Sequence, residues 1–458
     1  MSRERRVVFF GLDCASPELV LGRWRAELPV LSGLLDGASY GPLHAVHPPI
    51  TIPAWASMLT GRDPGELGIY GFHQRLDRGG GRARLVDARS LRTPTVWDLA
   101  GRAGLDSIVV GFPPSYPVTP LRGCMVSGPL TPPDSVSYTF PEGLAAEISR
   151  WVGDYRFDIE AHRSGDLERV RAEVFEMTRK RFGVLRELLR SRPWRFCFVH
   201  EIGLDRLQHA CWPDDAGWDD PLDPGARSLL EYYRLLDAEI GNTLELVPED
   251  AVVLVASDHG ARRLEGSFCI NEWLRSEGHL VLLQQPTEPA PLDPAQVDWA
   301  RTEAWADGGY CGRVYLPRAP RDPGGALASA AGRALREGIR EKLEALRGPD
   351  GAPLGNAVCT PQEVYAGVRG IAPDLMVYPA DLALRCAGSV GHGRLFLDGN
   401  DAGPDRANHT WEGLFLLRDP ERPGPGRIEG CHQLDVAPTL LDRLGLAVPS
   451  WMRGGTLA

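Results

Sequence analysis

The sequence predicts an α/β fold in which helices flank a mostly parallel, doubly wound sheet. Strand-like and helix-like stretches alternate along the chain, and no internal repeat is visible. This alternation favours parallel strands joined by helical crossovers. Several strand-like stretches are also short, almost continuous apolar runs, which is typical of strands buried inside such a sheet.

The individual elements follow from the spacing of apolar residues. Buried strands are predicted at residues 7–12, 107–112, 195–199 and 251–256. Helices are predicted to open at 93–100 and to span 166–190 and 227–246. In the two longer helices the apolar residues recur with a period near 3.6, so each presents one apolar face to the sheet.

Size and charge exclude several classes of protein. The chain has 458 residues, of which 43% are hydrophobic and 24% charged, so it is too apolar for a disordered chain. No apolar run approaches the roughly 20 residues of a membrane span, and the run at 7–12 is too short for a signal segment. The net charge of −11 argues against a general nucleic-acid binder. We therefore expect neither a membrane nor a nucleic-acid polymer as partner.

The nine cysteines indicate a reducing compartment. They are scattered and odd in number, and no C-x-x-C pair occurs. This pattern fits free thiols better than a disulfide framework, and its spacing does not suit a thiolate zinc site. A cytoplasmic location is expected.

Acidic and imidazole side chains follow three of the predicted strands. Asp13 ends the first strand, Asp258 and His259 end the strand at 251–256, and Asp205 and His209 follow the strand at 195–199. Ligand sites of doubly wound sheets form at the carboxyl ends of strands. Asp205 and His209 are four residues apart, so one helical turn places both on one face. Carboxylate with imidazole suits zinc or another first-row metal.

One further histidine is needed to complete two metal sites. His409 lies just before an apolar run that is predicted to be a late strand. His392, in Gly-His-Gly at 391–393, is the alternative.

Thr51 is the candidate nucleophile. Prolines precede it and a helix-compatible segment follows, so it is expected at a helix N-terminus, where free backbone N–H groups favour an anion. Pro53 is tolerated in the first helical turn. A hydroxyl at such a place beside a metal can act as a nucleophile.

Taken together, these residues resemble the alkaline phosphatase superfamily, and within it the type I phosphodiesterase / nucleotide pyrophosphatase-like branch. The matching segments are 8–13, 49–55, 59–65, 68–72, 205–209, 257–260, 408–413 and 435–441. Because they run through nearly the whole chain, we expect one alkaline phosphatase-like catalytic domain over 1–458. The acidic, proline-rich stretch 212–225 is predicted to be a lid loop. Residues 284–360 are predicted to be a peripheral insertion with a helix from about 326 to 346.

The resemblance implies a site with two divalent metal ions, zinc or alternatively manganese. By matching positions, one ion is expected on Asp13, Asp258, His259 and the Thr51 oxygen. The other ion is expected on Asp205, His209 and His409. Thr51 matches the family's nucleophile, which implies a phosphothreonyl intermediate. Substrate-binding residues are not assigned.

Threonine at position 51 also separates branches of the superfamily. Sulfatases of this superfamily use a modified cysteine or serine, and phosphoglycerate mutase-like members usually carry serine. Threonine points to the phosphodiesterase and pyrophosphatase branch, although phosphonate hydrolases of this superfamily also use it. The expected partner is a small-molecule phosphate ester substrate. Two alternatives stay open: a phosphomonoesterase or phosphonate hydrolase on the same site, and an inactive binding protein that keeps the fold.

Overall fold

The computed structural model describes residues 5–317, 321 and 327–457. The chain divides into two compact units. Unit 1 comprises residues 1–62, 86–261 and 409–458, and unit 2 comprises residues 63–85 and 262–408. The expectations of a single catalytic domain, of a lid at 212–225 and of an insertion at 284–360 stay predictions. Parts of that insertion, 318–320 and 322–326, lie outside the described residues, as does the predicted helix start near 326.

The strands and helices are numbered in chain order. The strands are β1 (Val7–Leu12), β2 (Ala38–His44), β3 (His73–Arg75), β4 (Ala83–Leu85), β5 (Ser107–Val110), β6 (Gly123–Val126), β7 (Thr139–Phe140), β8 (Phe196–Glu201), β9 (Val252–Ala256), β10 (Gly260–Arg263), β11 (Ser267–Cys269), β12 (Trp305–Asp307), β13 (Gly312–Tyr315), β14 (Ala357–Cys359), β15 (Leu375–Tyr378), β16 (Arg385–Ala387), β17 (Phe396–Leu397), β18 (Ala407–Thr410), β19 (Glu412–Arg418), β20 (Gly426–Arg427) and β21 (Cys431–His432). The helices are α1 (Pro29–Leu34), α2 (Thr51–Thr60), α3 (Pro64–Leu67), α4 (Val96–Arg102), α5 (Leu144–Val152), α6 (Leu167–Ser191), α7 (Gly203–Cys211), α8 (Pro224–Leu244), α9 (Ile270–Ser276), α10 (Ala330–Glu344), α11 (Pro361–Val364) and α12 (Val436–Arg443).

Unit 1 is built on a ten-stranded sheet, counted over the described residues. Its order is β20-β2-β19-β9-β1-β8-β5-β6-β7, with β21 also paired to β2. The run β9-β1-β8-β5-β6 is parallel, whereas β19 is antiparallel to both of its neighbours and β7 is antiparallel to β6. The predicted α/β class with a mostly parallel sheet is confirmed.

Helices cover both faces of this sheet because successive side chains of a strand point to opposite sides. Phe9 packs with Phe198 on one face, beneath residues of α2, α4 and α12. Phe10 points the other way and its ring stacks on Phe182 of α6, with 6.4 Å between the ring centroids. The central strands are buried over their whole length, which explains their continuous apolar sequences.

Local capping sets several helix starts. Asp166 caps α6 by accepting a hydrogen bond from the Arg169 N–H, and Thr95 forms a capping box with Asp98 at the start of α4.

The segment between α7 and α8, part of the predicted lid, places Trp212 against Trp218 with ring centroids 5.0 Å apart. Within the described residues, every helix is too short or too polar to cross a bilayer.

Unit 2 has a separate apolar core and smaller sheets. Its strands form a four-stranded sheet in the order β12-β13-β15-β14, a three-stranded sheet in the order β16-β11-β17 and the hairpin β3–β4. The core gathers residues of α9, the four-stranded sheet and α10. In α10, which begins at Ala330, Ile339 and Leu343 are fully buried.

Candidate active site

Three neighbouring parallel strands bring the predicted site residues to one edge of the unit 1 sheet. In the registers of these strands, Gly11 of β1 lies beside His200 of β8 and beside Ala256 of β9. The residues that follow β1 and β9, and the helix α7 that follows β8, therefore emerge side by side. This register is what places Asp13, the Asp258–His259 pair and α7 together.

The side chains form two groups that we call cluster A and cluster B. Cluster A contains Asp13, Asp258 and His259, and cluster B contains Asp205, His209 and His409. Within each cluster the candidate ligand atoms lie within 4.8 Å of one another, and all six residues are buried. The two clusters are adjacent, since the rings of His259 and His409 stack with centroids 3.6 Å apart.

Cluster B includes His409 and not the alternative histidine. The Nε2 atoms of His209 and His409 lie 3.2 Å and 3.5 Å from Asp205 Oδ1. His409 Nδ1 lies 2.7 Å from the Pro49 carbonyl oxygen. Because a carbonyl oxygen can only accept, Nδ1 carries the proton and donates it to this hydrogen bond. His392 lies in unit 2, where its Nε2 is 2.7 Å from Ser389 Oγ.

Several buried atoms of the clusters form no hydrogen bond of good geometry among the described residues and instead face one another. They are Asp13 Oδ1, Asp205 Oδ1, Asp258 Oδ2 and His259 Nε2, and the last two lie 3.1 Å apart. Leaving one such atom buried costs about 1–3 kcal/mol, so native proteins rarely keep several together. The oxygen and nitrogen donor set suits zinc or a related divalent ion. The clusters therefore fit two cations.

The second oxygen of each carboxylate is held by a donor of the chain. Asp13 Oδ2 accepts hydrogen bonds of 2.9 Å from Trp55 Nε1 and from His200 Nε2. Asp258 Oδ1 accepts one of 3.1 Å from the Cys14 backbone N–H. Such partners orient a ligand carboxylate and leave its other oxygen available to a metal.

Gly11 explains how the Trp55 ring reaches Asp13. A Cβ atom at position 11 would lie 2.6 Å from the Trp55 ring. Only glycine therefore lets the indole of α2 lie across β1.

Arg206 links cluster B to a loop that precedes α6. Its Nη1 donates to Asp205 Oδ2 at 2.7 Å, while Nε and Nη2 donate to the two oxygens of Asp158 at 2.9 Å and 2.6 Å. The sequence did not reveal Trp55, His200, Arg206 or Asp158 as site residues. The only available signal was position: His200 ends a buried strand, and Trp55 lies one helical turn after Thr51.

Burial and mutual charge shift the site pKa values in opposite directions. Burial, followed by the charges of Asp258 and Asp205, raises the pKa of Asp13 well above its usual value. Burial also acts to raise the pKa of Asp205, but His209, His409 and Arg206 outweigh it and hold the pKa well below the usual value. Burial, then the charge of His259, lowers the pKa of His409 to about 3, so its imidazole is neutral at pH 7.

Thr51 lies where the sequence predicted it. It is the first residue of α2 and is 2% exposed. The Pro49 carbonyl that accepts from His409 is two residues before it, so cluster B is tied directly to the segment that presents Thr51.

The sequence matches a family model over most of its length. The model of the type I phosphodiesterase / nucleotide pyrophosphatase family matches residues 7–388. The chain belongs to this family. It is thus a hydrolase of phosphoric ester bonds of the phosphodiesterase type, from a metal-dependent family with two-metal sites. No curated protein matches the sequence at a significant level.

Solved structures share the fold at low sequence identity. Phosphonoacetate hydrolase from Sinorhizobium meliloti 1021, in complex with phosphonoacetate, has a TM-score of 0.60 and 17% identity over 97% of this chain and 96% of its own. Murine ectonucleotide pyrophosphatase / phosphodiesterase 5, an inactive threonine-to-alanine variant in complex with AMP, has a TM-score of 0.55 and 13% identity, with coverages of 97% and 96%. The human protein of that name has a TM-score of 0.56, 13% identity and coverages of 98% and 97%. These phosphodiesterase-family and hydrolase neighbours share the alkaline phosphatase-like architecture.

Proposed function

We propose that this chain is a metal-dependent phosphodiesterase of the nucleotide pyrophosphatase type that works through a phosphothreonyl intermediate at Thr51. The observation that carries the proposal is the convergence of buried carboxylate and imidazole atoms, which face one another in clusters A and B. Substrates are small phosphate diesters or pyrophosphates, and no nucleic-acid polymer is expected.

Asp13, Asp258, His259 and the Thr51 oxygen would hold one ion, and Asp205, His209 and His409 the other. Two bound divalent ions supply Lewis-acid stabilisation of charge on the attacking and leaving oxygens. Zinc is the ion we favour because imidazole and carboxylate suit it, and manganese is the alternative.

The chain's own residues account for the covalent steps. Thr51 Oγ1 gives up its proton and attacks phosphorus, and the ester oxygen opposite leaves and takes up a proton. Water then attacks the phosphothreonine, and the phosphorus bond to Oγ1 breaks, which restores the hydroxyl. Trp55 and His200 keep Asp13 oriented through both steps, and Arg206 does so for Asp205.

We also propose that the protein works in a reducing compartment, the cytoplasm. None of the nine cysteines, which all lie in the described residues, is part of a disulfide, and eight of them are buried. Buried free thiols do not need an oxidising environment.

The test is hydrolysis of bis-p-nitrophenyl phosphate by protein loaded with zinc or manganese. Thr51→Ala should lower kcat by about a thousandfold or more while the protein still binds metal. Thr51→Ser, which keeps a hydroxyl, is the matched control and should retain measurable turnover. Near-native turnover by Thr51→Ala would show that the covalent route is wrong.

A second candidate is phosphonate hydrolysis on the same site. It is favoured by the fold shared with phosphonoacetate hydrolase, at a TM-score of 0.60. Release of inorganic phosphate from phosphonoacetate, compared with cleavage of bis-p-nitrophenyl phosphate and p-nitrophenyl phosphate, separates phosphonatase, diesterase and monoesterase. No turnover on any of the three by metal-loaded protein would favour an inactive binding protein.

A further inference from the structure

We propose that unit 2 carries a second binding site, for an uncharged, polyhydroxylated ring such as a glycoside. The site is a cavity of about 750 Å³, within the range of about 300–1,000 Å³ of small-molecule pockets. Every residue that lines it belongs to unit 2, and no residue of clusters A and B is among them. It therefore goes beyond the hydrolytic function proposed above.

Buried polar side chains hold the walls of this cavity in place. Asn271 is fully buried, and its Nδ2 donates to the carbonyl oxygens of Ala306 and Gly388 at 2.9 Å and 2.7 Å. Its Oδ1 accepts from the Ala306 N–H at 2.9 Å. Glu272 accepts from the backbone N–H groups of Gly391 and His392. These bonds join two lining segments, 306–309 and 388–392, so the cavity is formed before any ligand binds.

The two lining segments meet at Gly308 and Gly388. A Cβ atom at Gly308 would lie 2.4 Å from the Gly388 nitrogen. The two backbones therefore meet directly, which leaves the space above them open.

Part of the lining is apolar. It includes Pro289, Pro291, Leu292 and Trp299, whereas the Trp305 indole, which also lines the cavity, is only 3% exposed and lies against the Arg75 guanidinium. The indole N–H groups are already used: Trp299 donates to the Pro294 carbonyl and Trp305 to the Arg78 carbonyl. Trp299, the less buried of the two, can thus offer only carbon surface, which matches the C–H face of a sugar ring.

The remaining lining is polar but already paired. Arg75 donates to both oxygens of Asp307 and lies 4.7 Å from the centroid of the Trp305 ring. Arg385 pairs with Asp405. The formal charges of the arginines and aspartates that line the cavity cancel. A phosphate would have to compete with these carboxylates for the guanidinium groups, so an anionic ligand is disfavoured.

Groups that can exchange hydrogen bonds with hydroxyls remain in this polar part of the lining. Ser389 Oγ lies 2.7 Å from both His392 Nε2 and Asp401 Oδ2, which fixes all three side chains. Asp401 is exposed, so its carboxylate can also accept a hydrogen bond from a ligand hydroxyl. Fixed donors and acceptors without net charge, in one cavity with apolar surface, fit a neutral ring bearing several hydroxyls.

The experiment uses the full-length, metal-loaded protein. It is titrated by calorimetry with the methyl glycosides of glucose, galactose, mannose and N-acetylglucosamine, and with maltose, adenosine and AMP. We expect saturable binding of at least one sugar with a Kd of about 1 mM or lower. Asp401→Asn and Trp299→Ala should each weaken it about tenfold or more. Asp398→Asn, on the same loop but outside the cavity lining, is the matched control and should change nothing.

Hydrolysis of bis-p-nitrophenyl phosphate is measured in parallel and should stay at the wild-type rate in all three variants, so the outcome is independent of the catalytic proposal. If Trp299→Ala does not fold, Asp401→Asn decides, because Asp401 is exposed. Three results would overturn the proposal: no sugar binds up to about 10 mM, sugar binding is unchanged by Asp401→Asn, or Asp401→Asn weakens adenosine or AMP binding instead.

Discussion

Units 1 and 2 both bury polar side chains, but these side chains have different partners. In unit 1 the carboxylates of Asp13, Asp205 and Asp258 each accept from a donor of the chain through one oxygen and turn the other toward a histidine of the clusters, at 3.7 Å, 3.2 Å and 3.1 Å. In unit 2 the buried amide of Asn271 is bonded at both ends to backbone groups.

The difference shows what each unit needs for stability. Each unpartnered buried atom costs about 1–3 kcal/mol, so unit 1 carries a deficit that bound cations would offset. Unit 2 has no such cluster among its described residues, and its polar contacts stabilise it without a ligand. Unit 1 thus offers two candidate cation sites, and unit 2 contains a cavity whose lining segments are joined by its own polar contacts.

Removal of metal should have the largest effect, and it should act on unit 1. Ions that bind only the native state stabilise it by about 4 kcal/mol each at a concentration a thousandfold above Kd. Treatment with a chelator should therefore lower Tm and abolish hydrolysis. Hydrogen exchange should speed up in β1, β8 and β9 but not in β13 and β15. Equal acceleration in both units would contradict the comparison.

Truncation of the buried amide should have the next largest effect, and it should act on unit 2. Asn271→Ala leaves one donor and two acceptors of the backbone without that partner, so the free energy of unfolding should fall by about 3 kcal/mol. Metal affinity, measured by competition with a chromophoric chelator, should not change. Asn242→Ala, at an exposed position of α8, is the control and should stay within about 0.5 kcal/mol of wild type. A loss of metal affinity in Asn271→Ala would show that the two polar networks are not independent.

The main elements of unit 1 could be predicted because their signals are local. The apolar run of β1 gave its bounds directly, and Asp166 marks the start of α6 by its side chain alone. Asp13 and Asp258 were predictable because each follows a buried strand. His409 was a candidate from its place before an apolar run, but only the family resemblance favoured it over His392, because its contact with Asp205 joins distant parts of the chain.

The groups that orient the candidate ligands could not be predicted in this way. Asp158 lies 48 residues from Arg206, and only the tertiary fold brings the two together. His200 bonds to Asp13 only because β8 and β1 are neighbours in the register found. Unit 2 joins two segments that are distant in the chain, and hydrophobic spacing carries no signal for such a junction.

Loss of one orienting hydrogen bond should have a smaller effect. Trp55→Phe keeps an aromatic ring but removes the N–H that holds Asp13 Oδ2, so metal affinity should fall about tenfold, in line with other partners of metal ligands. Trp97→Phe, in the same apolar core, is the control for lost ring volume. If both variants lose the same affinity, packing and not the hydrogen bond orients Asp13.

The smallest predicted difference between the units is in how far the free energy of unfolding falls as the pH is lowered. Burial, followed by the charges of His44 and His432, lowers the pKa of His47 in unit 1 to about 4. The unfolded chain, with a histidine pKa of 6.5, therefore binds more protons than the folded chain between these two values. Stability should fall as pH falls through this window, and His47 accounts for about 1 kcal/mol of the loss from pH 7 to pH 5.5.

His47→Gln removes the titrating group and should flatten this part of the pH profile of the unfolding free energy. Urea denaturation of metal-free protein at both pH values measures it, so that cation binding does not contribute. In unit 2, burial and then the charge of Arg313 lower the pKa of His73, but that side chain is exposed to solvent. His73→Gln should therefore change the profile less than His47→Gln. The reverse order would show that unit 2 has the more acid-sensitive packing, and it would contradict the comparison between the two units.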